Sequence, residues 1–275
     1  MTYNIESNFN DIKKTLKKLT SFKDQDIIKK ESISEALESA YSEVNKWIEL
    51  EDVVVVFSDL KNSTGISIDK QKRTMTKILE YLNYPFIDIH GKFGAEFIDI
   101  NGDGGIAIYH KDNAIKALVA SITVKTYYEK YLYKQLQKDY NIDFITTTGI
   151  AQGSLLVKKI GNRSDGKFHV WAGDTINKSA LISKELKDKI NNNTIDKGLY
   201  IGITQEIYKL LENINLKEYL FMSCGCGSKD SKPEKLWKEE NLPKYKGKKY
   251  YRLGSRWCDE HDQEYLDKVL EILNK

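Results

Sequence analysis

Cysteine is scarce in this chain of 275 residues, with three copies at positions 224, 226 and 258. An odd set cannot close into paired bridges, so the count argues against a disulfide-stapled secreted scaffold and fits a reducing compartment. Long apolar runs are missing too. The most hydrophobic stretch, Val53–Phe57, has five residues, against the ~20 that span a bilayer. The opening residues MTYNIESNFNDIKK lack the basic-then-apolar pattern of a secretory signal. A cytoplasmic location with no membrane partner is therefore expected. Nor does one sign of charge dominate: 43 Lys and Arg face 40 Asp and Glu, a formal net charge of +3. The basic runs Lys13–Lys18 and Lys244–Lys249 are local and read as a solvated helix face or strand edge. A nucleic-acid partner is not expected from so even a balance.

What is present is a 40% hydrophobic chain, enough for one sizeable core with an accessory segment or for two small domains. Residues 1–50 read as a helical segment. Ser32 and Glu35 have the spacing of a capping box, and Ile33, Leu37, Ala40, Tyr41, Val44 and Ile48 follow at helical spacing. The character changes at Val53, where four valines and Phe57 favour a strand because β-branched side chains suit a pleated surface. Ser58–Gly65 has turn chemistry and leads into a helical stretch around Arg73–Leu82. Phe97–Ile100 and Gly105–Tyr109 flank Asn101-Gly102-Asp103-Gly104, a hairpin signal.

A long helix is expected from about Asp112. Phe144–Ala151 and Ser154–Val157 read as a strand pair turning at Gly153. Phe168–Ala172 reads as a strand, followed by a helix from about Thr175. A strand at Ile201–Ile203, the helix Gln205–Leu211, a strand at Lys249–Leu253 and a closing helix over Asp262–Leu273 complete the order. The expectation is an α+β fold, with a helical segment to residue 50, a main domain over 51–255 and a C-terminal helix within 256–275.

Two carboxylates carry the candidate chemistry. Asp59 follows the apolar strand, and Asp103 lies 44 residues later at the hairpin tip. Aspartates at neighbouring strand ends can converge on hard divalent cations. Taken singly, Asp59 reads more readily as a helix-capping or turn aspartate and Asp103 as an ordinary Asp-Gly turn residue.

Four blocks in order resemble class III nucleotidyl cyclases, the family of adenylate and guanylate cyclase catalytic domains. Val53–Thr64 looks like the first metal-binding strand and phosphate loop, and Asn101–Ile108 like the hairpin with the second metal aspartate. Thr148–Gly153 looks like the strand after it, and Val170–Asn177 like the segment whose asparagine holds the ribose. The resemblance implies a ferredoxin-like βαββαβ core with extra strands and two Mg²⁺ or Mn²⁺ ions per site. Asp59, Asp103 and the Leu60 carbonyl would hold the ions. Backbone N–H groups of Asn62, Ser63 and Thr64 would cradle phosphate, Asn177 would hold the ribose, and a head-to-tail homodimer would complete each site.

The chain departs from the family in two places. Where members carry a transition-state arginine stands Leu181. Lys184, seven residues after Asn177 and so on the same helical face, is a candidate substitute, the alternative being a surface lysine. Lys246 and Lys248 fall where the family places a phosphate-binding lysine. The base-reading positions are Asp99 and Val170. A carboxylate accepts hydrogen bonds only, so Asp99 argues against adenine and leaves guanine, cytosine or uracil.

The wording of the blocks is most similar to the bacterial pyrimidine cyclases of anti-phage signalling, known as Pycsar cyclases. That resemblance implies cyclisation of CTP or UTP, with a slight lean to CTP, and a product that acts on a separate effector. Guanylate cyclase and a non-catalytic nucleotide-binding module are the alternatives. Finally, Cys224, Cys226, Cys258 and His261 have the composition of a structural Zn²⁺ site, while buried free cysteines are the plainer reading. His90 and His110 read as surface or packing residues.

Overall fold

The computed structural model describes residues 10, 13–14, 27–43, 46–61, 72–160, 168–213, 216–224, 226, 234–245 and 247–274. The chain divides into two compact units, residues 1–51 with 155–172, and residues 52–154 with 173–275.

In the smaller unit, β1 (Ile27–Lys30) pairs in parallel with the start of β2 (Trp47–Lys61). Helix α1 (Ile33–Ser42) lies between them in sequence. The Ser32 hydroxyl accepts from the Glu35 amide at 3.3 Å, as the capping spacing predicts. Ile33, Ala36 and Ala40 bury one face of α1. The segment is thus not helical throughout: Ile27–Lys30 is drawn into a strand because the first residues of β2 offer it a partner. The same unit holds the end of β5 (Ile145–Ile160), paired antiparallel with β6 (Phe168–Ala172). The Lys158 ammonium lies 5.7 Å from the Trp47 ring centre, and Tyr41 meets His169 edge-on at 5.3 Å.

The larger unit is built on the strand order β3-β4-β2-β5-β7-β9-β8. Here β3 is Phe97–Asn101, β4 Gly104–His110, β7 Tyr200–Thr204, β8 Trp237–Asn241 and β9 Lys249–Leu253. Val53, Val54, Val55 and Val56 are all buried, which is what an unbroken valine run demands of a strand covered on both faces. The expected hairpin forms between β3 and β4, with Gly102 at φ 66° in the turn. Helix α2 (Lys72–Lys92) runs on past Pro85, where the sequence reading stopped at Leu82. Proline offers no N–H to the Tyr81 carbonyl four residues back; one residue on, the Leu82 carbonyl accepts a hydrogen bond from the Tyr128 hydroxyl. Helix α3 (Ala114–Tyr127) buries Ala117, Leu118, Val119 and Ala120 in succession, so burial reaches every side of it. A π-helical turn, Tyr128–Leu132, joins it to α4 (Tyr133–Tyr140).

One expectation is corrected. Residues 145–160 form one continuous strand rather than a pair turning at Gly153. Gly153 has φ 149°, a conformation open to glycine that keeps the chain extended instead of reversing it. Strand β8 also went unread, its Trp-Lys-Glu-Glu-Asn sequence being mostly polar on a sheet edge.

Two glycines seat helix α5 (Asp174–Asn191) on the sheet. Gly149 of β5 and Gly202 of β7 are register partners. A Cβ on Gly149 would come within 1.9 Å of the Ser179 carbonyl oxygen, and one on Gly202 within 2.3 Å of Ile182. Only bare backbone lets α5 approach so closely. Ser183 then donates to the Thr147 carbonyl at 2.9 Å. The helix that carries Asn177 and Lys184 is therefore seated directly on the sheet. Helices α6 (Gln205–Asn213) and α7 (Asp262–Leu273) complete the unit.

Candidate active site

Antiparallel register sets the geometry. Asp59 pairs with Gly104, so residues 59 and 103 lie at the same end of the β2–β4 ladder, one position out of register. The tip is held by Asn83, whose side-chain amide donates to the Gly102 carbonyl at 2.9 Å. Glycine is needed beside it, because a Cβ on Gly105 would come within 2.7 Å of the Phe86 ring. Asp103 lines a small cavity with Ser58, Leu60, Asn83 and Phe86. Asp59 is not at a surface turn, as its place in the sequence indicated, but within β2, with its side chain 29% exposed. Its Oδ2 forms an ion pair with the ammonium of Lys187, which also donates to the Leu60 carbonyl at 3.5 Å.

Lys187 was missed in the sequence. Lys184, three residues earlier on α5, drew attention by its distance from Asn177, and both of those side chains are exposed. Leu181, between them, is 8% exposed and packs with Ile182, Leu186, Leu242 and Tyr250. An arginine there would have to bring its guanidinium out of an apolar cluster. At the start of α5, Asp174 accepts from Lys178 at 2.5 Å and from the Tyr245 hydroxyl at 2.8 Å. Burial alone would raise this carboxyl, but those two partners and the charge of Lys248 hold it below the ordinary carboxylate range. Asp99 is exposed on β3, and Val170, on β6 opposite Lys158, is 38% exposed. Asn62, Ser63, Thr64 and Lys246 lie outside the described residues.

The donors fit a hard divalent cation. Two carboxylates and a peptide carbonyl are all oxygen ligands of the kind Mg²⁺ and Mn²⁺ take. A cationic group, the Lys187 ammonium, already touches two of them.

Next to this site, His90 is fully buried under Phe86 and Tyr109. Its Nδ1 lies 2.6 Å from the Tyr109 hydroxyl, while its Nε2 has no hydrogen-bond partner among the described residues. Burial lowers its pKa from 6.5 to about 3. The unfolded chain therefore binds the proton first, and stability falls as pH drops below 6.5 and continues to fall to about 3. Between pH 7 and 5 the loss from this group is about 2 kcal/mol. Urea unfolding of the wild type and of His90→Gln at both pH values checks it: the variant should lose less stability on acidification, and parallel losses would exclude His90 as the source.

The sequence matches the adenylate and guanylate cyclase catalytic domain over residues 46–221, and the chain belongs to that family. The uridylate cyclase of Micromonospora echinofusca is 31% identical over 239 residues, covering 83% of this chain and 72% of that protein. The uridylate cyclase of Propioniciclava tarda is 29% identical over 221 residues, covering 77% and 66%. Among solved structures, the adenylyl cyclase CyaB from P. aeruginosa aligns with a TM-score of 0.56 at 15% identity, over 78% of this chain and 98% of that one. The guanylate cyclase domain of RhGC from Catenaria anguillulae, solved with GTP, aligns at 0.54 and 19%, over 76% and 98%. These structures share the fold, so the expected α+β cyclase architecture is the one present.

Proposed function

We propose that this chain is a pyrimidine nucleotide cyclase that converts UTP to 3′,5′-cyclic UMP and pyrophosphate. The β2–β4 register carries the cyclase reading, since it brings Asp59 and Asp103 to one strand end beside the Leu60 carbonyl. Those three groups would hold the divalent ions, which supply charge neutralisation for the triphosphate and acidify the ribose 3′-hydroxyl. Asn177 orients the ribose and Lys184, on the same exposed face, approaches the phosphates. The 3′-oxygen forms a bond to the α-phosphorus, the bond to the bridging oxygen of the β-phosphate breaks, and the hydroxyl proton passes to solvent. Phosphoryl transfer of this kind depends on positioning and charge more than on covalent participation by the protein.

The base assignment rests on two supports. Asp99 is an exposed acceptor that suits the uracil N3–H or the cytosine amine. Both named relatives are uridylate cyclases, which moves the preference from the CTP that the sequence slightly favoured to UTP. Asn62, Ser63 and Thr64, with Lys246 or Lys248, bind the triphosphate, and Val170 borders the base. The working unit is a head-to-tail homodimer; Tyr81, Tyr84 and Ile87 are exposed along α2 as apolar surface for a second copy. The enzyme acts in the cytoplasm, and its product triggers a separate effector in anti-phage defence. No helix among the described residues is long and apolar enough to cross a membrane.

Incubation with each of the four ribonucleoside triphosphates and Mn²⁺, with products resolved by mass spectrometry, tests the reading. Cyclic UMP should predominate. Cyclic GMP as the sole product would replace the substrate assignment, and nucleotide binding without any product would favour the non-catalytic alternative that the buried Leu181 keeps in view.

A further inference from the structure

Two local pairs from separate stretches of the chain, Cys224 with Cys226 and Cys258 with His261, come together with all four donor atoms within 4.8 Å of one another. The sulfur of Cys224 lies 2.9 Å from that of Cys226 and 3.3 Å from that of Cys258, and Cys226 is 3.2 Å from Cys258. His261 turns its Nδ1 to within 3.6 Å of the Cys258 sulfur. Three thiols and one imidazole in a single cluster are soft and borderline donors, which select Zn²⁺ over the hard cations suited to Asp59 and Asp103. Four protein ligands leave no open coordination position, which marks a structural centre rather than a catalytic one.

The supporting shell is already built. Before the first pair, Met222 bridges to Lys235, and the Ser223 hydroxyl accepts from the Glu234 amide at 2.8 Å. Before the second, Trp257 is buried, with its backbone amide and indole N–H donating to Thr126 and Thr123 of α3, each at 3.1 Å. His261 is the residue preceding α7, and its ring stacks on Tyr265 at 5.6 Å. Three thiolates on Zn²⁺ leave one negative charge, and Arg256, paired with Asp259, lies two residues from Cys258. Such surroundings fix ligand orientation before the metal arrives.

We propose that these four residues bind one structural Zn²⁺, which clamps Cys224 and Cys226 to the start of α7. Tyr219 and Tyr265 already meet edge-on at 5.1 Å beside it, so the metal would reinforce an existing contact. The inference is independent of the nucleotide chemistry, and its test separates the two. The full chain, purified under reducing conditions and dialysed against metal-free buffer, should retain one zinc per chain by elemental analysis. Stripping it with a strong chelator should lower the thermal midpoint by roughly 10 °C, with recovery on adding Zn²⁺ but not Mg²⁺ or Mn²⁺. Cobalt substitution should give thiolate-to-metal charge-transfer bands that Cys226→Ser weakens, whereas Asp59→Asn should leave zinc content intact. Absence of zinc with three freely titrating thiols, a Cys224–Cys226 disulfide in the metal-free native protein, or full zinc content in Cys226→Ser would each overturn the assignment.

Discussion

Replacing Asp59 with asparagine is expected to reduce cyclic nucleotide formation by about 10²–10³-fold or more, with the thermal midpoint lowered only by the few degrees that losing the Lys187 ion pair costs. Asparagine keeps the size and one oxygen of the side chain, so Lys187 retains a hydrogen-bond acceptor and the β2 backbone ladder is untouched. What is lost is a full negative charge at the strand end where the ions would bind. Charge stabilisation at such a centre acts mainly in the transition state, so the loss should fall on kcat more than on KM. Asp103→Asn, at the hairpin tip, should behave alike while perturbing packing still less. Steady-state kinetics at several Mn²⁺ concentrations, with circular dichroism melts of each variant, makes the comparison. Wild-type turnover by either folded variant would sink the shared-metal assignment.

Much of this was legible in the sequence, and the reasons are particular. The run Val53–Val56 has no polar residue to expose, so it could only be a covered strand, and Asn101-Gly102-Asp103 carries its turn in its residue types. The closing helix ends where its periodicity does, at Leu273. Illegible features were those decided by distant partners. Gly153 looked like a turn because glycine usually marks one, yet its positive φ keeps a strand extended. Ile27–Lys30 became a strand because of Trp47–Leu50, which lie 20 residues on. The paired glycines 149 and 202 are unremarkable in their own segments, and their meaning emerges only when α5 comes down on both. At the site, Asp59 and Asp103 could be nominated from pattern, but Lys187 could not. Its role depends on how deeply α5 is seated, and nothing in a stretch of alternating Lys, Leu and Asp declares that.

Lys187 supplies the second large expected effect. Its ammonium holds Asp59 and the Leu60 carbonyl together, with the two side chains only 22% and 29% exposed. A divalent ion drawing on the same two oxygens would have to displace it, which would make the lysine a built-in competitor for the cation. A partly buried, charge-assisted contact of this sort is worth about 1–2 kcal/mol, which corresponds to roughly 5–30-fold in affinity. Lys187→Met keeps the aliphatic length and removes the charge. It should therefore tighten Mn²⁺ binding by that factor in the absence of nucleotide, read from the free Mn²⁺ signal in electron paramagnetic resonance titrations. The metal-free variant should also be less stable than the wild type, because Asp59 is left half-buried without its counter-charge. Raising the salt concentration should narrow the affinity difference, since screening weakens the ion pair that the substitution removes. Weaker Mn²⁺ binding by Lys187→Met would mean instead that the lysine positions Asp59 for the metal, and an unchanged affinity would place the cation away from the Asp59–Leu60 pair altogether.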